Sequence, residues 1–137
     1  MRGLGTLILL LGLAGPASAF TDADRSTIQG VIEQQLSAFS RDDGAAAYSF
    51  AGPGIRQMFP SPDIFMSLVR QGYGAVYRQK SHNFGTLEEK DGRLVQSVDL
   101  VDLQGEEWTA LYTLEQESDG SWKITGCFLV KKPGVSA

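Results

Sequence analysis

The spacing of apolar residues changes once along the chain, near Ser81. Before this point, apolar residues recur every three or four positions, which is typical of helices with one buried face. After it, apolar and polar residues alternate, which is typical of strands with one buried face. Helices that precede an antiparallel sheet segregate to one of its faces. The pattern therefore predicts an α+β domain in which three N-terminal helices pack on a four-stranded antiparallel sheet.

Capping residues indicate where the three helices begin and end. Thr21 and Asp24 match a capping box, with Asp in place of the usual Glu, at the start of helix 22–40. A second helix, 44–51, ends at a Gly-Pro-Gly run, and a third, 62–72, begins at a Ser-Pro pair. The residues predicted to be buried are Ile28, Val31, Ile32, Leu36 and Phe39 in the first helix and Ile64, Phe65, Leu68 and Val69 in the third. An irregular turn at 55–59 and an aromatic linker at 73–77 complete this half of the chain.

The stretch Glu106–Lys131 predicts a strongly apolar hairpin around Ser118-Asp119-Gly120. If Gly120 is left-handed at the end of a three-residue loop, the register sorts apolar from polar side chains. One face then carries Trp108, Ala110, Tyr112, Leu114, Trp122, Ile124, Gly126, Phe128 and Val130. The other carries Thr109, Leu111, Thr113, Thr125, Cys127 and Leu129, with Glu115 opposite Lys123. Because two strands alone are marginally stable in water, the helices must cover the apolar face.

A similar loop, Lys90-Asp91-Gly92, joins strands predicted at 82–88 and 93–103. The same three-residue register predicts the pairs His82–Leu100, Asn83–Asp99, Phe84–Val98 and Leu87–Val95. The fit is weaker than in the second hairpin, because Glu88 then lies opposite the apolar Leu94. Residues 82–131 are therefore expected to form a meander of four antiparallel strands.

Local strings spread over residues 22–131 resemble an uncharacterised, mostly proteobacterial family known as domain of unknown function 4864. The matching strings are Ile32-Glu33-x-Gln35-Leu36-x-Ala38-Phe39 with Asp42-Asp43, Phe50-Ala51-x-Pro53-Gly54-Ile55, Phe65-x-x-x-Val69, Gly72-Tyr73-x-x-Val76-Tyr77, Trp108-x-Ala110-Leu111-Tyr112-x-Leu114-Glu115 and Asp119-Gly120-Ser121-Trp122-x-Ile124-x-Gly126-Cys127. The last string is the most specific. The resemblance implies the nuclear-transport-factor-2-like superfold, a curved sheet wrapped around helices to form a cone. It implies no catalytic residues, because none are established for the family, and the wider superfold includes enzymes, ligand binders and dimeric modules.

The first nineteen residues have the pattern of a secretory signal peptide. Arg2 precedes an apolar core from Leu4 to Ala14, and Ala17-Ser18-Ala19 is a small-residue cleavage site. We therefore expect an exported protein, periplasmic or secreted, that is cleaved after Ala19 and has no membrane segment afterwards. The domain is expected to occupy 20–131, followed by a short tail, 132–137.

Composition narrows the classes of partner and cofactor. The net charge of the 137 residues is −4 and no basic stripe is present, so nucleic acid is not an expected partner. Cys127 is the only cysteine, which excludes an internal disulfide and favours a buried, inert thiol. One histidine, one cysteine and no metal-ligand spacing give no support for a metal site. We predict no metal and no cofactor.

Aromatic residues are the strongest candidates for a functional site. Most of the large rings are expected to form the core, but buried phenol and indole groups need hydrogen-bond partners. We predict that a cone-shaped pocket uses Tyr73, Tyr77 and Tyr112 as polar groups and Trp108 and Phe128 as apolar wall. Arg70 or Arg78 is expected at the rim of this pocket.

Catalytic residues are not predicted. His82 is the only histidine, and the register places its nearest sequence carboxylate, Asp99, opposite Asn83 on the other face of the sheet. Asp99 and Asp102 are three residues apart in a strand and point to opposite faces. Glu115 and Glu117 share the polar face, where Lys123 lies opposite Glu115. These charges are interpreted as solvated strand residues.

The amino-acid sequence leaves three functional hypotheses open. The first is an exported domain that binds a small apolar or amphipathic ligand without turning it over. The second is a homodimeric structural or interaction module that pairs through the outer sheet face, with Gly126 and Cys127 near its two-fold axis. The third is a small dehydratase- or isomerase-type enzyme that uses a tyrosine and His82.

Overall fold

The computed structural model of the protein describes residues 20–133. The predicted signal peptide, 1–19, and residues 134–137 of the predicted tail lie outside the described residues. Within residues 20–133, five helices precede four strands. The helices are α1 (Asp22–Ser40), α2 (Gly44–Ser49), α3 (Pro53–Met58), α4 (Pro62–Gly72) and α5 (Gly74–Tyr77), and the strands are β1 (Gln79–Lys90), β2 (Arg93–Asp102), β3 (Glu107–Gln116) and β4 (Trp122–Lys131). None of these helices is both long and apolar enough to cross a membrane.

The predicted start and buried face of α1 are confirmed. The Thr21 hydroxyl accepts a hydrogen bond from the Asp24 N–H at 3.0 Å, and the Thr21 N–H donates to the Asp24 carboxylate at 3.0 Å. All five apolar residues predicted for its core face are buried. This long helix lies against the sheet and provides the largest continuous part of the helical layer.

The predicted start of α4 is confirmed, but the predicted burial of Ile64 is wrong and Leu68 is only half-buried. The Ser61 hydroxyl caps the helix by accepting from the Ile64 N–H at 3.2 Å. Ile64 itself is 49% exposed, whereas Met66 is buried. A Cβ placed on Gly44 of α2 would lie only 3.0 Å from Met66 Cγ, so the absence of a side chain there makes room for Met66. The close packing of α2 against α4 determines which residues of α4 are buried. The local sequence pattern does not contain this information.

The turn and the linker predicted between the main helices are both short helices. Pro53 is in the first turn of α3, where its fixed φ favours a helix and its missing N–H costs no hydrogen bond. Residues 74–77 of the predicted linker form the single turn of α5. These two short helices enclose the space between α4 and the sheet.

The four strands form one antiparallel meander in the order β1-β2-β3-β4. Its inner face packs against the helices, and the buried apolar residues of both layers form one cluster. The predicted α+β architecture, with helices on one face of a curved antiparallel sheet, is therefore confirmed.

The predicted register of the β3–β4 hairpin is correct near the loop and wrong beyond it. Gly120 has a φ of +90°, and Leu114 pairs with Ile124 as expected. A bulge then leaves Thr125 without a partner on β3, because Thr113 pairs with Gly126. One extra residue moves every later side chain of β4 to the opposite face.

The bulge reverses the predicted faces of the residues of β4 that follow it, including Gly126. Phe128 and Val130 lie on the outer face, where they are 69% and 43% exposed. Cys127 and Leu129, predicted on the outer face, lie on the inner face and pack against the core. The prediction that Phe128 faces the helices is therefore wrong.

The first hairpin also departs from the predicted loop. Asp91 and Gly92 both have positive φ, 53° and 80°, and form a two-residue turn between the Lys90–Arg93 pair. An irregularity between Phe84 and Leu87 restores the predicted pairing of Phe84 with Val98 and of His82 with Leu100. The two-residue turn pairs Leu87 with Gln96 and Glu88 with Val95, so the predicted Leu87–Val95 pair and the predicted Glu88–Leu94 contact are both wrong.

A short segment between α2 and α3 covers the free edge of β4. The Gly52 N–H donates to the Ile124 carbonyl at 2.8 Å, and the Ile124 N–H donates to the Phe50 carbonyl at 2.8 Å. Ala51 thereby forms a parallel bridge with Ile124. A Cβ on Gly52 would lie 3.4 Å from the Ile124 oxygen, so a glycine suits this close approach. The bridge lies next to the bulged Thr125 and holds α3 against the sheet.

Candidate functional site

A cavity of about 280 Å³ lies between the helices and the β3–β4 half of the sheet. We call it the apolar cavity. Its sheet wall includes Tyr112, Ile124, Thr125 and Cys127, and its helical wall includes Gln35, Phe39, Phe65, Val69 and Tyr73. No residue of β1 or β2 is in the described lining. The bulge at Thr125 is what turns Cys127 toward this cavity.

The hydroxyl of Tyr112 is the unusual group of this site. Tyr112 is 1% exposed, and its hydroxyl oxygen has no hydrogen-bond partner among the described residues. Its cross-strand neighbour Cys127 affects its ionisation, but the thiol does not reach hydrogen-bond geometry. Buried polar groups without partners are rare, because leaving one unpaired costs about 1–3 kcal/mol. Because Tyr112 lines the apolar cavity, its hydroxyl is the candidate hydrogen-bonding group for a bound molecule.

Burial keeps two titratable groups of the lining, those of Tyr112 and Cys127, protonated. Burial raises the pKa of Tyr112 well above its ordinary value, because a phenolate would lose its hydration there. Burial likewise raises the pKa of the Cys127 thiol to about 12. The thiol is therefore a weak hydrogen-bonding group at neutral pH and not a nucleophile.

Gln35 is the other buried polar residue of the cavity wall. It lies on α1 and is 3% exposed. Its amide nitrogen donates to the Ala47 carbonyl of α2 at 3.1 Å. That hydrogen bond joins the two helices and leaves the amide oxygen and the second N–H as the groups that Gln35 can offer to a ligand.

The mouth of the apolar cavity is formed by α3 and the residue that follows it. Met58 is in the lining and is also 70% exposed, so it marks the opening to solvent. The segment is held by Tyr48, whose hydroxyl donates to the Phe59 carbonyl at 2.6 Å. The Arg56 guanidinium lies over the Tyr48 ring, 4.9 Å from its centre, and donates to the Ala51 carbonyl at 3.1 Å. The mouth is therefore built on fixed backbone with a flexible methionine at its edge.

A second depression, the Trp108 cleft, lies between α5 and the ends of β2 and β3. Asp102 is its buried polar group, and its carboxylate accepts from the Trp108 indole N–H at 2.9 Å. It also accepts the backbone N–H groups of Gln104 at 2.9 Å and Glu106 at 2.8 Å. The indole hydrogen bond, followed by the backbone ones, lowers the pKa of Asp102. This carboxylate is fully used in holding the β2–β3 turn.

Tyr77 and the two predicted rim arginines are joined to Asp42 on the protein surface. The Tyr77 hydroxyl donates to the Asp42 carboxylate, and Arg78 pairs with it at 3.0 Å and Arg70 at 3.8 Å. The Tyr77 hydrogen bond, and then Arg78, lowers the pKa of Asp42. Arg78 also donates to the Phe39 carbonyl at the end of α1, at 2.6 Å. These polar groups connect α1 to α5 and do not enter the apolar cavity.

The structure distributes the five predicted ligand-binding residues among three places. Tyr73 and Tyr112 line the apolar cavity, and Tyr77 and Trp108 line the Trp108 cleft. Phe128 lies on the outer sheet face because of the bulge. The sequence pattern did not identify Gln35, Thr125 or Cys127 as cavity residues. For Gln35, a usable signal was its place beside the buried Leu36 on an amphipathic helix. The positions of Thr125 and Cys127 depend on the bulge.

His82 lies outside both depressions. Its ring nitrogen contacts the Glu33 carboxylate of α1, and its ring meets Phe84 edge-on. The predicted pairing of Asn83 with Asp99 is present, but the contact with Glu33 was not predicted. Neither His82 nor Glu33 lines the apolar cavity or the Trp108 cleft. Within residues 20–133, no group of three or more metal-ligating side chains comes together.

Comparison with known proteins identifies the family. The model of the family described as Domain of unknown function (DUF4864) matches residues 21–137, so the chain belongs to this family. No curated protein matches the sequence.

Two solved structures share the fold at low sequence identity. One is an NTF-2-like protein of unknown function from Silicibacter pomeroyi DSS-3, with 14% identity and a TM-score of 0.56 over 82% of this chain and 100% of that chain. The other is a protein from Catenulispora acidiphila, with 11% identity and a TM-score of 0.52 over 80% of this chain and 92% of that chain. At these identities the comparison shows the nuclear-transport-factor-2-like fold and nothing about activity.

Proposed function

We propose that this domain binds a small apolar or amphipathic ligand in the apolar cavity and does not turn it over. The observation that carries the proposal is the buried Tyr112 hydroxyl, which has no partner among the described residues and belongs to a residue that lines the cavity. A purely structural core would gain stability from phenylalanine at this position. A ligand with one polar group would pair with the hydroxyl and offset its cost.

The size and lining of the cavity support a small ligand. Its volume of about 280 Å³ is just below the roughly 300–1,000 Å³ of typical drug-sized ligand sites. The walls combine apolar side chains with a few polar groups, which is the usual composition of such sites. Met58 at the mouth can move aside without disturbing the fixed backbone of α3.

The first test is to block the cavity with a single substitution. Leu68→Trp on α4 places a larger side chain at a half-buried position of the lining. Ile64→Trp on the same helix is a matched control, because Ile64 is 49% exposed and outside the lining. The probe is the neutral dye N-phenylnaphthylamine, whose fluorescence rises in an apolar site. We expect Leu68→Trp to weaken binding by about tenfold or more, which is a loss of about 1.4 kcal/mol, and Ile64→Trp to bind like the parent protein.

Native mass spectrometry of protein purified from a bacterial periplasm provides the second test. We expect a small molecule to co-purify with the parent protein and to be absent from Leu68→Trp. Equal dye binding by both variants, together with only the bare chain mass, would exclude the cavity as a binding site.

Export is part of the proposal and rests on residues 1–19 alone. The intact mass of the protein recovered from a periplasmic or culture fraction tests it. We expect a chain that begins at Phe20. A full-length chain confined to the cytoplasmic fraction would contradict export without affecting the proposal about the cavity.

A second candidate function is homodimer formation through the outer sheet face. The observation that favours it is the exposure of Phe128 and Val130 beside Leu111, which no described residue covers. Charged pairs of both signs border this apolar centre. They are Arg93–Glu115 at 3.0 Å and Lys132–Asp99 at 3.0 Å. A face with both signs at its borders is compatible with a copy of itself.

Light scattering at micromolar concentration tests the homodimer. We expect the parent protein to have twice the mass of one chain and Phe128→Ser to be a monomer. Leu103→Ser serves as the control, because Leu103 is 50% exposed but lies at the β2–β3 turn. A monomeric parent protein would rule out this function and leave the cavity proposal intact.

A further inference from the structure

The charges around the apolar cavity define which ligands it can hold. Asp, Glu, Lys, Arg and His are absent from the described residues that line it. The side-chain groups that can form hydrogen bonds there are hydroxyls, an amide and a thiol, namely those of Tyr73, Tyr112, Thr125, Gln35 and Cys127. The wall can therefore hydrogen-bond to an uncharged polar group but provides no counter-ion.

Two charged residues that neighbour the cavity lining in the sequence, Arg56 and Lys123, are engaged elsewhere. The Arg56 guanidinium is bound to Tyr48 and to the Ala51 carbonyl. Lys123, next to Ile124 on β4, donates to the Ser49 carbonyl at 3.0 Å. Neither residue lines the cavity. A carboxylate that enters the cavity would have to leave its water shell without meeting a cation.

The cavity cannot compensate by changing its own charge. Two of its titratable groups, Tyr112 and Cys127, stay protonated at neutral pH because burial raises their pKa values. Transfer of an unpaired ion into such a site costs several kcal/mol even after relaxation of the protein. A neutral group with one hydrogen-bond acceptor carries a much smaller cost, and the unpartnered Tyr112 hydroxyl can donate to it.

We propose that the apolar cavity selects small uncharged molecules that carry one hydrogen-bond acceptor, such as a ketone, ester or alcohol on an apolar body, and rejects carboxylates and amines of the same size. This inference rests on the proposed ligand-binding function and adds the chemical class of the ligand. It distinguishes the site from one that carries fatty acids or organic cations.

A matched set of ligands tests the selection. Methyl hexyl ketone, octanol, octanoate and octylammonium have equal carbon counts and differ in charge. The affinity of each compound is measured by its displacement of N-phenylnaphthylamine from the parent protein at neutral pH. We expect the two neutral compounds to bind about tenfold or more tightly than the two ions, because about 1.4 kcal/mol of uncompensated desolvation is enough for that ratio.

Two kinds of variant show whether the cause is the one proposed. Tyr112→Phe should weaken the binding of methyl hexyl ketone by about fivefold, since one neutral hydrogen bond contributes about 1 kcal/mol. Leu68→Lys introduces a cation into the lining and should improve the binding of octanoate relative to the ketone. If Leu68→Lys does not fold, Met58→Lys introduces the cation at the exposed mouth instead. Ile64→Lys lies outside the lining and should leave the affinity for octanoate relative to the ketone unchanged.

The outcomes separate the two proposals. If octanoate binds the parent protein as tightly as methyl hexyl ketone, the selection for neutral ligands is overturned while the cavity remains a binding site. If neither the dye nor any of the four compounds binds, the proposed function fails and this inference fails with it.

Discussion

Gln96 and Tyr112 are neighbours on the inner face of the sheet, yet the Gln96 amide is fully hydrogen-bonded and the Tyr112 hydroxyl has no partner among the described residues. They pair across β2 and β3 and are 0% and 1% exposed. The Gln96 amide nitrogen donates to the carbonyls of Ser97 at 2.8 Å and of Gly85 at 3.1 Å in β1. Its oxygen accepts from Gln29 of α1 at 3.2 Å. The Tyr112 hydroxyl has no partner among the described residues.

This difference separates the two halves of the inner face. On the β1–β2 half, buried polar groups are satisfied by the protein itself and hold the irregular part of β1 to β2 and α1. On the β3–β4 half, a buried hydroxyl lies in the wall of a cavity. A polar group that lowers the stability of the fold is expected where binding, not folding, requires it. Stability measurements on paired variants can test that division.

The largest effect is expected for Gln96→Leu. The substitution removes the polar group that joins β1, β2 and α1 and leaves the backbone carbonyls of Gly85, Thr86 and Ser97 without this donor. We expect the free energy of unfolding to fall by about 3 kcal/mol, measured by urea denaturation. Gln29→Leu is the matched control, because it removes one hydrogen bond at a half-buried position and should cost about 1 kcal/mol. Equal effects of the two variants would mean that Gln96 does not hold the irregular part of β1.

A smaller loss is expected for Asp102→Asn, together with a change in pH dependence. The Trp108 indole and two backbone N–H groups lower the pKa of Asp102 in the folded protein. Its carboxylate therefore stabilises the fold fully above the unfolded pKa of about 4, and this contribution is lost as the pH falls through the lower folded value. Asp102→Asn should lower stability at neutral pH and make the acid limb of the stability profile shallower.

The acid limb should become shallower without disappearing. The pKa values of Asp42, Asp43 and Asp119 are also lowered, by hydrogen bonds to Tyr77, to a backbone N–H and to Ser121 respectively. The measurement is urea denaturation of both proteins across the acid range. An unchanged slope in the Asp102→Asn variant would show that the indole hydrogen bond does not persist in solution.

The opposite sign is expected for Tyr112→Phe. Removal of an unpartnered buried hydroxyl should raise the free energy of unfolding by about 1 kcal/mol in the ligand-free protein. The same variant should bind a neutral ligand less tightly, so stability and binding change in opposite directions. A loss of more than about 1 kcal/mol on urea denaturation would mean that the hydroxyl has a partner within the folded protein, and the contrast with Gln96 would not hold.

The smallest effect is expected for Phe128→Ser. In the structure Phe128 is 69% exposed on the outer face, so the substitution should change the stability of one chain by less than about 0.5 kcal/mol. In the register predicted from the sequence, Phe128 faces the core, and its truncation would cost about 3–5 kcal/mol. Urea denaturation at submicromolar concentration, where association contributes least, distinguishes the two registers. A large loss would contradict the bulge at Thr125.

The sequence by itself determined the elements whose signals are local. The Thr21–Asp24 capping box and the apolar stripe of α1, the Ser61 cap of α4, and the left-handed Gly120 of the second hairpin are all present as predicted. Each depends on hydrogen bonds or contacts within a few residues. The order of helices and strands follows from them, and the family resemblance then named the fold.

The tertiary structure alone decided which residues form the cavity. The bridge between Ala51 and Ile124 joins residues far apart in the sequence and lies beside the bulge at Thr125. That one extra residue turns Cys127 inward and Phe128 outward, although the period-two pattern of β4 fits the unbulged register equally well. Likewise, the Tyr112 hydroxyl is unpartnered because the described helices place no hydrogen-bonding group within reach of it. Alternation reports that a strand has two faces, and only the packing of distant segments sets which face meets the helices.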